Sequence, residues 1–127
     1  MLWRARQTQL HVHDVMVKEY HATTDGLVGN DDAGQMSAWY VISALGFYAV
    51  TPGTPQYAIG TPHFDVVIVS RANGKTLRIH APGAERGKFY VRTVLFNGKQ
   101  IDRTYLLHSE IVGGGDFNFE MSYTPGL

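Results

Sequence analysis

The sequence predicts an α+β chain, two helices followed by an antiparallel, sandwich-like sheet. Three observations carry this reading. Residues 1 to about 48 run with helical period, and residues from about 57 onward alternate with period two. A Pro/Gly-rich connector, Thr51-Pro52-Gly53-Thr54-Pro55, separates the two regimes. The 127 residues are 44% hydrophobic and 17% charged, the balance of a folded chain rather than a disordered one.

Composition also excludes several functions. Eleven Lys and Arg balance eleven Asp and Glu, so the basic stripe that nucleic acid demands is missing. No apolar run approaches the roughly 18 residues needed to span a bilayer, so no membrane role is expected. The absence of cysteine removes disulfides, thiolate metal sites and a thiol nucleophile. Met1-Leu2-Trp3-Arg4-Ala5-Arg6 is not followed by the apolar core of a secretory signal.

The first helix is read from a stripe of Trp3, Leu10, Val15 or Met16, and Tyr20, widened by Val12 and Val17. His11 and His13 lie on it, and an i, i+2 pair diverges on a helix, which argues against a shared metal. A second helix is expected from Gly34 to Phe47. It is apolar nearly all round and therefore asks for burial on every side. The first helix and a short sheet cannot supply that.

Strands follow. Phe64–Ser70 and Thr76–His80 flank Asn73-Gly74, and Lys88–Phe96 and Lys99–Ile101 flank Asn97-Gly98. Asn-Gly tolerates the positive φ angles of two-residue hairpin turns. Asp116–Ser122 alternates, with Phe117, Phe119 and Met121 on one face.

The stretch from Asp25 to Gln35 carries the most chemical information. Three glycines within nine residues, Gly26, Gly29 and Gly34, flank Asp31 and Asp32, which sit just before the apolar helix. Two roles are open. An Asp there can cap the helix, accepting backbone N–H bonds at the positive end of its dipole. A carboxylate on a short loop can instead face a cleft as a general base or a cation ligand. Trp39, Tyr40 and Phe47 fit either core packing or a sugar subsite. Leu107-His108-Ser109-Glu110 lacks the partners of a catalytic triad and reads as a short helix capped by Ser109.

The string Gly29-Asn30-Asp31-Asp32-Ala33-Gly34-Gln35-Met36-Ser37-Ala38-Trp39-Tyr40-Val41, followed by Ser43–Tyr48, resembles the C-terminal part of glycoside hydrolase family 92, the calcium-dependent exo-α-mannosidases. The likeness continues through Pro52-Gly53, Tyr57, Gly60-Thr61-Pro62, Phe64, Asn73-Gly74-Lys75, Phe96-Asn97-Gly98-Lys99 and Leu107-His108. Ala49 stands where the family usually has Pro.

The resemblance implies a fold. Residues 1–50 would be the last two helices of an (α/α)6 barrel with its catalytic loop, and 51–127 the antiparallel β region that follows. Family members are several times longer, so the rest of the parent enzyme would cover the apolar helix. Expressed alone, the chain would be inactive and prone to self-association.

It also implies roles. Asp32 would be the general base of an inverting mechanism acting on mannose-containing glycans, with α-1,2 linkages of N-glycans or mannans as the expected substrates. Asn30 and Asp31 would support it, Asn30 standing where many members carry a second acid. Gly29 and Gln35 would contact the sugar. The catalytic acid matches no residue here. The family's calcium would have no direct ligand in this chain, with Asp32 reaching it only through water. Family members are often secreted, periplasmic or surface-attached, which leaves the compartment open. A non-catalytic β-sandwich module, binding carbohydrate or purely structural, with Gly29–Gly34 as a plain helix cap, stays the alternative.

Overall fold

The computed structural model describes residues 2–125, with side chains from residue 5 onward. Helix α1 spans Leu2–Lys18 and α2 spans Gln35–Ala44. Two sheets follow. The smaller joins β1 (Phe47–Tyr48), β2 (Gln56–Ile59) and β7 (Tyr105–Leu107), all antiparallel. The larger has the order β3-β4-β8-β5-β6, from Val66–Ser70, Thr76–His80, Gly115–Ser122, Tyr90–Phe96 and Lys99–Gln100. A short helix α3, His108–Gly113, leads from the small sheet into β8.

Both hairpins form where the sequence places them. Ser70 pairs with Thr76 across the first turn and Phe96 with Lys99 across the second. Asn97 and Gly98 have φ of 49° and 82°, the positive pair that a tight, right-twisted hairpin needs. One feature of the large sheet departs from expectation: β8 runs parallel to β4, with Ile79 opposite Phe117, and antiparallel to β5. The sheet is therefore mixed. Pattern along a strand sets which face is buried, but it carries no information about which distant neighbour the strand joins.

The core lies between the two sheets. Phe47 and Leu106 of the small sheet meet Leu77, Ile79, Val94, Phe117, Phe119 and Met121 of the large one. The alternation read from Phe117, Phe119 and Met121 puts all three inside, as the period-two rule requires. Phe47 is consequently a core residue of a strand. It is neither the end of a helix nor free for a sugar. Helix α2 stops at Ala44 because Gly46 takes φ 104°, where an added Cβ would lie 2.7 Å from the Pro62 ring.

Helix α1 lies against β5. Met16 is buried while Val15 and Val17 are exposed, which settles the stripe in favour of Met16; the side chain of Trp3 lies outside the described residues. Gln9 is buried as well, and its Oε1 accepts a hydrogen bond from the Val91 N–H at 3.1 Å, beside the register shift between Val91 and Thr93. His13 stacks on Phe89 with ring centroids 4.2 Å apart. Burial, and after it the nearby His63, lower the His13 pKa. His11 is exposed on the same helix, and among the described residues no three His, Asp or Glu side chains converge on a metal-sized site.

Helix α2 has little cover. Only Ser43 and Ala44 are buried; Met36, Trp39, Tyr40 and Ile42 are half-buried, and Val41 is 57% exposed. Such an exposed apolar face is of the kind that marks interaction surfaces.

Candidate functional site

The segment between the helices, residues 19–34, is fixed at both ends. Tyr20 and Leu27 form an isolated antiparallel bridge. His21 N–H donates to Gly26 O at 3.0 Å, and a Cβ at Gly26 would sit 1.9 Å from His21 O, so only glycine fits the close approach.

At the other end, the two adjacent carboxylates have opposite environments. Asp31 turns inward. Its Oδ1 accepts from the N–H groups of Met36 at 2.7 Å and Ser37 at 3.1 Å, and its Oδ2 accepts from Ser37 Oγ at 2.6 Å. These are donors at the start of α2 that have no partner inside the helix, so Asp31 does the work of a cap from four residues before Gln35. The Ser37 hydroxyl first, then the Ser37 and Met36 N–H groups, hold its pKa below the ordinary aspartate value.

Asp32 turns outward. It is exposed, and its carboxylate has no hydrogen-bond or ion-pair partner among the described residues, while its backbone carbonyl accepts from the Gln35 N–H. It opens a one-turn 3-10 helix, Asp32–Gly34, closed by the Gly34 N–H on Asp31 O at 3.0 Å. Ala33 has φ 56° and Gly34 φ 74°, and no atom lies within 4 Å of where a Gly34 Cβ would be. A left-handed Ala is held at a cost, of the kind that concentrates at functional turns. Asn30 and Gly29 are exposed on the same loop, and Gln35 is exposed at the start of α2. Among the described residues the side chains of Asn30 and Gln35 have no hydrogen-bond partner, and Gly29 lies 3.7 Å from Met36 Sδ by its virtual Cβ, an ordinary contact.

Two residues that belong to this site escaped the reading of the sequence. Tyr20 Oη donates to Met36 O at 3.0 Å, and Ser37 holds Asp31. No local pattern marks either one, because their partners are a backbone carbonyl 16 residues away and a loop carboxylate.

The remaining constellation, at residues 107–110, is structural. The α3 cap is Glu110 rather than Ser109: its carboxylate accepts from the Leu107 N–H at 2.8 Å and pairs with Arg103. His108 Nδ1 is bonded to Tyr57 Oη at 2.9 Å, so histidine and acid face different partners.

Against this geometry, the glycosyl hydrolase family 92 catalytic domain matches residues 2–123. The chain belongs to glycosyl hydrolase family 92. This family 92 chain superposes on an α-mannosidase of the family from Bacteroides thetaiotaomicron with a TM-score of 0.87 at 37% identity, over 93% of its length. That enzyme has also been solved with mannoimidazole. A family 92 inverting mannosidase from the same species gives 0.85 at 43% identity over 94%. A protein of Arthroderma benhamiae described as an uncharacterized secreted glycosidase is 28% identical over 81% of the chain. The chain spans only 14–16% of these relatives' lengths. Among the described residues no helix is long and apolar enough to cross a membrane.

Among the described residues no group of three His, Asp or Glu side chains could hold a metal ion, and the exposed carboxylate of Asp32 stands alone, so the calcium that the resemblance implies has no ligand set here.

The bonds of Asp31 make a prediction about pH. A carboxylate whose folded-state pKa is lowered stabilises the fold above its unfolded pKa, and that contribution is lost as pH falls through the lowered value. Asp31→Asn is therefore expected to lower the melting temperature of the chain at neutral pH, and the gap to wild type should close on acidification below about pH 4. Thermal melts followed by circular dichroism across that range check it; a gap that does not depend on pH would contradict it.

Proposed function

We propose that this chain is the base-bearing segment of an inverting α-mannosidase, with Asp32 as the general base. One observation carries the reading: of two neighbouring carboxylates, one is bound on both oxygens and the other is free, exposed and beside open space. A base must present an unengaged oxygen to the water it deprotonates, and Asp32 is the one of the pair whose two oxygens are both unengaged among the described residues. Water attacks the anomeric carbon while Asp32 removes its proton. The glycosidic C–O bond breaks, and the leaving oxygen takes a proton from an acid on the opposite face, about 6.5–9.5 Å from the base in such enzymes. That acid lies outside this chain.

The relatives' descriptions as mannosidases, one of them inverting, support the sugar and the stereochemistry. Mannose-containing glycans, α-1,2-linked ones first, are the proposed substrates, and the remainder of the parent enzyme is the proposed cover of α2. The secreted relative supports a location outside the cytoplasm.

The test is a mannobiose series given to the full-length protein that carries this chain, with the product anomer followed by NMR at early times. Release of β-mannose from an α-linkage is expected. The isolated 127 residues are expected to give no turnover of an aryl α-mannoside, since acid and subsites are elsewhere. Retention, no hydrolysis by the full-length protein, or turnover by the isolated chain would overturn the reading.

A further inference from the structure

We propose that Tyr20 and Ser37 are positioning residues for Asp32, clamping the turn from which it projects. The inference rests on Asp32 being the base. Neither hydroxyl reaches outward to a substrate; both are spent on the frame of the loop. Ser37 Oγ donates to Asp31 Oδ2 at 2.6 Å, and Tyr20 Oη donates to Met36 O at 3.0 Å. Because Asp31 Oδ1 in turn holds the Met36 N–H at 2.7 Å, residue 31 is tied to the first turn of α2 through Met36 and Ser37, and Met36 is held in addition by Tyr20. Asp32–Gln35 are the residues enclosed by that tie.

Tyr20 is itself immobilised. Its ring lies against Trp39 at 5.6 Å and Tyr40 at 5.0 Å, and its backbone pairs with Leu27 at the entrance to the loop. One residue thus anchors both the beginning and the end of the segment. Burial, and then the Asp31 charge, raise its pKa, so the hydroxyl stays protonated and able to donate.

What the clamp holds is a turn that would otherwise relax. Ala33 occupies φ 56° without the freedom of glycine, and such a backbone persists only where its surroundings over-determine it. If either tie is cut, Ala33 can return to the right-handed region, and the preceding residue, Asp32, swings with it. A base displaced by about an ångström loses rate out of proportion to the change in binding.

The experiment is steady-state kinetics of the full-length protein carrying Tyr20→Phe, Ser37→Ala or Ser37→Thr, with Asp32→Asn alongside and melting temperatures recorded for all. Tyr20→Phe and Ser37→Ala are each expected to lower kcat on the order of tenfold at temperatures well below melting, with KM nearly unchanged. Ser37→Thr keeps the hydroxyl and should restore kcat. A kcat within about twofold of wild type in both hydroxyl deletions, or a loss confined to KM, overturns the inference while Asp32→Asn remains impaired. A fully active Asp32→Asn overturns the base itself and the clamp with it. If Tyr20→Phe does not accumulate as folded protein, the contrast between Ser37→Ala and Ser37→Thr decides alone.

Discussion

Asp32→Asn in the full-length enzyme is expected to lower kcat by on the order of 10²–10⁴ while KM stays close to wild type. The amide keeps the size of the side chain and its outward placement on the loop, so binding of the ground-state sugar is little changed. It cannot take the proton that water sheds as it attacks. The loss therefore falls on the transition state alone. Asp31→Asn is the internal control. Its Oδ1 still accepts from Met36 and Ser37, and its amide nitrogen can donate to Ser37 Oγ in place of the Oδ2 bond, so it should keep far more activity than Asp32→Asn and show its main effect in stability. Kinetics on an aryl α-mannoside with a good leaving group separate the two, and comparable rates for both variants would dissolve the distinction drawn between neighbouring carboxylates.

That distinction shows where sequence reasoning reaches its limit. The Asp pair ahead of an apolar helix is visible in the string, and so are the two things an Asp can do there. Which Asp does which depends on the direction of two side chains relative to the start of α2, which the chain enters through left-handed residues at Ala33 and Gly34. The glycine is a readable hint of that. The alanine is not. The strands were legible because Asn-Gly turns and the Phe117, Phe119 and Met121 alternation are local signals. The end of α2 is not legible in the sequence, because Gly46 and Phe47 look helical by pattern alone while Gly46 packs against Pro62 and Phe119, far along the chain. Gln9 was overlooked for the same reason. A buried glutamine on a helix has no periodic signature, and its partner is a strand amide 82 residues away.

The second large effect belongs to the core. Phe117→Ala is expected to destabilise the chain by about 3–5 kcal/mol. Phe117 is fully buried, stacked on Phe96 with centroids 4.6 Å apart, and sits on the central strand of the larger sheet. Strands on either side leave little room for collapse into the space vacated. Asp116, one residue earlier, points to the opposite face, where its contacts to Arg78 and His80 are long, at 4.0 and 3.9 Å, and half exposed. Asp116→Asn should change stability little, because exposed ion pairs contribute little. Urea unfolding of the two variants measures the contrast; equal midpoints would mean that the face assignment of β8 is wrong.

The place of β8 in the larger sheet has a consequence for how the chain is made. The strand that comes last in the order β1 to β8 lies in the middle, between β4 and β5. Until the ribosome has delivered residues 115–122, the β3–β4 and β5–β6 hairpins have no edge in common and their inner faces stand open to water. Assembly of this sheet is therefore a late event that joins segments distant along the polypeptide, the situation in which loop closure slows folding. During that interval the aromatic residues already synthesised, Phe96 among them, are available to chaperones and to neighbouring nascent chains. A single insertion of β8 then ends the exposure of both hairpins at once.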